Sequence, residues 1–255
     1  MIKLVKVLVG LSVIGLIFCS YQTKKLPTQD CIISEMYIQP IQQETDKKPF
    51  TLERGGITYL IRPLYNYEIY GLVVSYHNAG NWLDYYHARW KDSLNIKDIG
   101  LGWGDNLKSG IYTMMRFSSG SWTLYYKFKP TATREDWKKF KNNQFSNNHL
   151  LTQDERINKL IMNTKIGDQI WLKGYLVEYE HSGTFKRGTS TTRNDKGQGA
   201  CETIFVTDYK ILKKCNILWH YLYIVFKYSV FVGFLLMIIS FIREPLYRHP
   251  KTERL

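Results

Sequence analysis

Acidic residues are scarce in this chain: 22 Asp and Glu stand against 35 Lys and Arg among 255 residues, a formal net charge of +13. That excess would suit a nucleic-acid binder if it formed one patch. It does not. Between Leu26 and Leu212 there are 24 basic and 20 acidic residues, a net of +4, so most of the excess lies at the two ends. There it flanks apolar segments, where lysine and arginine set topology and meet lipid headgroups. A nucleic-acid partner is therefore not expected.

Small residues are missing where a signal peptidase would need them. The uncharged run Val7–Cys19 follows Lys3 and Lys6 and has the length of a signal core, but Ile17 and Phe18 do not fit a cleavage site. Phe18 directly before Cys19 does not fit a lipoprotein box either. Residues 1–24 thus read as an uncleaved membrane anchor.

Cysteine is also sparse, with four in all. Cys31, Cys201 and Cys215 lie beyond the first anchor, and three is an odd number to pair in an oxidising compartment. With Cys201 buried in a strand, Cys31 and Cys215 could form a bridge; the alternative is that all three stay reduced.

A second apolar run, Ile217–Ile242, is interrupted only by His220 and Lys227, and Trp219, Tyr221 and Tyr223 supply an aromatic belt at its start. It is apolar on every face, which suits a transmembrane helix over 215–243 better than a core helix. Arg243, Arg248, Lys251 and Arg254 follow it, which assigns residues 244–255 to the cytoplasm as a basic tail. The N-terminus then shares that side. The domain between the spans is expected on the periplasmic side of a bacterial inner membrane.

Residues 25–49 are polar and aperiodic and read as a linker, with the β-rich domain over 50–212. Strands are predicted at 57–62 and 67–76, separated by Arg62–Pro63, and a hairpin over 112–128 turning at Ser118–Gly120. Helices are predicted near 82–90, 133–141 and 153–163, and Gly100, Gly102, Gly104 and Gly110 read as turns. Further strands are expected at 169–179, with a bend at Gly174, then at 185–193 and 201–211, with a turn at 194–197. The class is α+β and β-rich: an OB-like small barrel with short peripheral helices, plus two transmembrane helices.

Three blocks stand out: Asp98-Ile99-Gly100-Leu101-Gly102-Trp103-Gly104, Ser146-Asn147-Asn148-His149-Leu150-Leu151, and Gly174-Tyr175-Leu176-Val177 followed by Ser190 to Glu202. In this order they resemble an uncharacterised family of bacterial membrane-anchored envelope proteins. The resemblance implies a bacterial source and an N-terminal anchor and carries no activity with it.

Cys201 and His149 could form a nucleophile and base if they met in space. The sequence alone does not bring them together: Cys201 alternates with Thr203 and Phe205 as a core residue would, and Asn148–His149 reads as a turn before a helix. Trp171, Lys173, Tyr175, Arg187 and Arg193, with Lys186, would suit a binding face for a glycan, a lipid headgroup or another envelope protein. Asp195 and Glu202 flank a glycine-rich loop that could meet a ligand but also has the composition of a hairpin turn. Asp84 and His87 sit one helical turn apart, with His77 as a distant third, which is too little to assign a metal. No cofactor is expected. The first functional expectation is a membrane-tethered, extracytoplasmic binding or scaffold domain; the alternative is a cysteine-dependent envelope enzyme using Cys201 with His149.

Overall fold

The computed structural model describes residues 2–80, 85–181, 185–194 and 200–243. They divide into two compact units, Leu26–Cys215 and the pair of chain ends. The chain opens with an apolar helix, α1 (Ile2–Gln22).

In the central unit, β1 (Ile41–Glu44) and β2 (Phe50–Arg54) both run antiparallel to the long β3 (Ile57–Asn78). The residues expected as a linker are therefore part of the fold. Met36 is fully buried in a cluster with Ile32, Leu72 and Tyr112, and the Trp103 indole N–H donates to Gln39 at 3.2 Å. Short 3-10 turns carry these contacts, which is why no regular period announced them. Nor is β3 broken at Arg62–Pro63: Pro63 pairs with Val177, and the register slips between Pro63 and Tyr65, which accommodates the missing N–H.

After α2 (Tyr85–Trp90), β4 (Asn95–Gly102) pairs with β3. Gly100 and Gly102 lie within this strand rather than at turns. A Cβ on Gly100 would stand 2.7 Å from Leu124 Cδ1, so the glycine lets a neighbouring hairpin settle on the strand. That hairpin follows α3 (Asp105–Lys108) and consists of β5 (Met115–Gly120) and β6 (Thr123–Phe128). It turns at Ser121–Trp122, beyond the predicted Ser118–Gly120.

Next come α4 (Arg134–Lys139), closed by a capping box between Thr133 and Asp136, and β7 (Phe145–Leu151), buried along its whole length. Helix α5 (Glu155–Asn163) starts on the Asp154 carboxylate, which accepts from the Arg156 and Ile157 amides. It ends on a buried cation. Lys97, fully enclosed in β4, donates to the carbonyls of Ile161, Met162 and Thr164 at 3.2, 3.4 and 2.7 Å, and lies 3.9 Å from the Tyr76 ring centre. An ammonium is well placed at a helix C-terminus, although burial pulls its pKa down to about 7.

The last strands are β8 (Gln169–His181), β9 (Phe185–Arg187) and β10 (Glu202–Lys213). The predicted strand from Phe185 to Arg193 is thus only three residues long, and most of the predicted 194–197 turn lies outside the described residues. Pairings run from β3 to β4, β7, β10 and β8, and from β8 back to β3. Only β7 with β10 is parallel. The main core, including Ile69, Ile99, Leu150, Ile170, Leu172 and Ile204, is contributed by all five strands of this circuit.

The last described element is α6 (Ile217–Arg243), and both α1 and α6 are long and apolar enough to cross a membrane. They pack antiparallel. Phe18 meets Trp219 edge to face at 5.5 Å, Phe226 covers Gly15, and Val9 covers Gly233, where an added Cβ would come within 2.3 Å of Val9. Close packing at small residues is how apolar helices associate without a hydrophobic drive between them.

Candidate functional site

Strand register sets two reactive side chains against each other, and a third stands at the end of the next strand. Asp98 on β4 is the direct cross-strand partner of His149 on β7, and His149 in turn pairs with Thr203 on β10. Cys201 lies just before β10 begins at Glu202 and lines the same cleft as His149. Asn148–His149 is therefore strand and not turn. Cys201 is not the buried strand residue expected: it precedes β10, and its thiol is partly exposed and lines a cleft of about 1060 Å³ together with His149.

His149 Nδ1 lies 2.6 Å from Asp98 Oδ1, and both side chains are buried. The Asp98 carboxylate is held in turn by the Asn95 amide at 2.8 Å and the Trp122 backbone N–H at 2.9 Å. With Nδ1 committed to Asp98, Nε2 is the ring nitrogen that remains, and Cys201, whose sulfur is hydrogen-bonded to Trp122 and Asn147, lines the same cleft as the imidazole. Burial on its own would strip the proton from the imidazole. The Asp98 charge and hydrogen bond outweigh it, with help from hydrogen bonding to Cys201, and raise the His149 pKa from 6.5 to about 9. Because the folded value is the higher one, protonated His149 stabilises the fold fully below about pH 6.5, and this is lost as pH rises through 9.

The turn of the β5–β6 hairpin holds both ends of this row. Trp122 donates its N–H to Asp98 and accepts from the Cys201 thiol on its carbonyl, at 3.6 Å. To do so it adopts φ = 64°, a left-handed conformation that costs a bulky residue energy and recurs at functional sites. Asn147, one pleat from His149, directs its amide N–H to Cys201 Sγ at 3.6 Å. The arrangement supplies a nucleophile, a base, an orienting carboxylate and an adjacent amide donor.

Of the sequence-predicted binding residues, Arg187, Arg193 and Glu202 line this cleft as well. The Arg187 guanidinium lies 4.4 Å from the centre of the Trp122 ring. Glu202 is 3% exposed, and burial raises its pKa to about 7, against the smaller opposing effects of Ser146, His149 and Arg193. Its raised value favours the neutral acid, so its contribution to stability is complete below about pH 4.5 and is lost as pH rises through 7. Trp171, Lys173 and Tyr175 are not part of the cleft. The Trp171 indole donates to Glu68 at 2.7 Å with Lys210 over its ring, Tyr175 packs beside the Leu52–Phe185 cluster, and Lys173 is exposed. Asp195 lies outside the described residues, as does Asp84. Among the described residues no group of three or more His, Cys, Asp or Glu is placed to hold a metal, and no disulfide joins any of the four cysteines, the Cys31–Cys215 pair included.

Sequence reasoning did not single out Asp98, Asn147 or Trp122. A signal for the first two was present: the block containing Asn147 and His149 and the block ending in Cys201–Glu202 meet at the cleft, and Asp98, which opens the remaining block, is bonded to His149 behind it. No protein-family model, curated protein or solved structure matches this chain.

Proposed function

We propose that this chain is a membrane-anchored cysteine hydrolase or acyltransferase in which Cys201 is the nucleophile, His149 the general base and acid, and Asp98 the group that orients the imidazole. The observation that carries this is the Asp98–His149–Cys201 row opening on a cleft. A tethered scaffold domain has no use for a buried carboxylate fixing the tautomer of a histidine beside a partly exposed thiol.

The chemistry follows from the geometry. His149 holds the thiol proton while Cys201 Sγ bonds to an acyl carbon and the carbonyl π electrons move to oxygen, with the Asn147 amide nearby to donate to it. As the carbonyl reforms, the bond to the leaving group breaks and the leaving group takes the proton from His149. Neutral His149 then draws a proton from water, whose oxygen bonds to the acyl carbon while the C–S bond breaks.

The closed circuit of pairings supports an OB-like barrel as the platform for this site. The charge flanking α1 and α6 supports two spans with the domain on the outer face of a bacterial inner membrane. The three sequence blocks support membership of the envelope family they resemble.

Cys31 and Cys215 are partly exposed, as Cys201 is, and serve as controls within the same chain. Brief treatment of the detergent-solubilised full-length protein with limiting iodoacetamide at pH 6.5 should label Cys201 at least about tenfold faster than either. Equal labelling of the three would remove the nucleophile from the proposal.

A further inference from the structure

Three polar atoms in the cleft are buried and have no hydrogen-bond partner among the described residues: Arg187 Nη1, Asn147 Oδ1 and Glu202 Oε2. Asn147 and Glu202 are only 4% and 3% exposed, so both withhold a buried acceptor at the wall of the site, which costs free energy unless a ligand satisfies it. The cations are not equivalent. Lys186 is paired with Glu178 at 3.1 Å, and Arg193 donates to the Pro40 carbonyl at 3.4 Å. Arg187 is stacked on Trp122, the same residue whose carbonyl accepts from Cys201, and its charge is felt by His149.

Building on the nucleophile assignment, we propose that the acyl donor carries a carboxylate close to the carbon that Cys201 attacks, bound by the Arg187 guanidinium, with a donor group of the same substrate directed to Asn147 Oδ1. A guanidinium presents parallel N–H groups that match a carboxylate. Its stacking on Trp122 holds the guanidinium in the cleft and leaves Nη1 without a partner. The Arg193 guanidinium is engaged by the Pro40 carbonyl and Glu202 stands in the same cleft, so the one charge that Arg187 offers suits a monoanionic carboxylate better than a dianionic phosphate ester.

Iodoacetate and iodoacetamide test this, since they deliver the same alkyl group to the same thiol and differ in charge. With the full-length protein at pH 6.5 and low salt, the ratio of iodoacetate to iodoacetamide rate at Cys201 should exceed the ratio for glutathione by about tenfold or more. It should drop toward the glutathione value in Arg187→Met, and Arg187→Lys should retain part of the preference, because it keeps the charge and loses the fork. A merely structural arginine would make both variants behave alike. If Cys201 reacts rapidly but prefers iodoacetamide, or if Arg187→Met keeps the ratio, the carboxylate proposal is overturned and the nucleophile stands. If Cys201 reacts with both reagents no faster than Cys31, both assignments fall.

Discussion

Replacing His149 by Ala should slow alkylation of Cys201 by about 100-fold at pH 6.5 and by much less at pH 9. The thiolate is the nucleophile, and without a neighbouring base a thiol surrenders its proton only to hydroxide, which is scarce at pH 6.5. In the intact site the imidazole stays charged up to about pH 9, since Asp98 overrides the cost of burying it, and it can hold the thiol proton over that whole range. The gap between wild type and variant therefore closes from the acid side as pH rises. Asp98→Asn should fall between the two. It keeps the shape, but an amide cannot sustain the imidazolium, and it leaves the Trp122 N–H and Asn95 amide facing a poorer acceptor. Rates unchanged in both variants would show that the row is structural.

Gly174→Ala should destabilise the central unit by roughly 4 kcal/mol or more, lowering the melting temperature by about 10 °C or preventing folding. A Cβ there would stand 2.1 Å from the Phe205 carbonyl oxygen, a backbone atom of the paired strand with no rotamer to give way. The register slips just beyond this point, between Val206 and Asp208, so the two strands approach most closely where a side chain cannot be admitted. Gly80→Ala, where nothing lies within 4 Å, provides the control and should leave stability within about 0.5 kcal/mol. Equal melting temperatures for the two variants would refute the packing argument.

Gly174 was legible in the sequence because a lone glycine inside an alternating strand marks a bulge or a close approach of two backbones. The two apolar helices were legible for a similar reason, being uncharged over most of their length. The reactive row was not. Strand β7 carries Ser146, Asn147, Asn148 and His149 in its buried stretch, and a run of polar residues reads as a turn when no register is known. Local rules fail there because those polar side chains are buried by the pairing of β7 with β4 and β10, which the segment's own sequence does not show. Cys201 was read as a buried residue of the last strand, because sequence cannot tell a core position from one just before a strand that opens on a cleft. Asp98 was hidden by a different cause. It meets His149 only through antiparallel pairing of β4 with β7, about fifty residues apart, and the glycines at 100 and 102 disguised β4 as a run of turns. The polar segment before Phe50 was misjudged because its 3-10 turns bury side chains without a repeat.

Trapping the covalent intermediate is the most direct measurement of the proposed chemistry. The full-length protein, mixed with p-nitrophenyl acetate at pH 7, quenched in acid within seconds and digested, should yield the Cys201 peptide heavier by one acetyl group. That mass should vanish on treatment with hydroxylamine, as a thioester does, and should be absent from Cys201→Ala and strongly reduced in His149→Ala. Acetyl groups distributed evenly over Cys31, Cys201 and Cys215, or p-nitrophenol released as fast by Cys201→Ala as by the wild type, would contradict a nucleophilic role for Cys201.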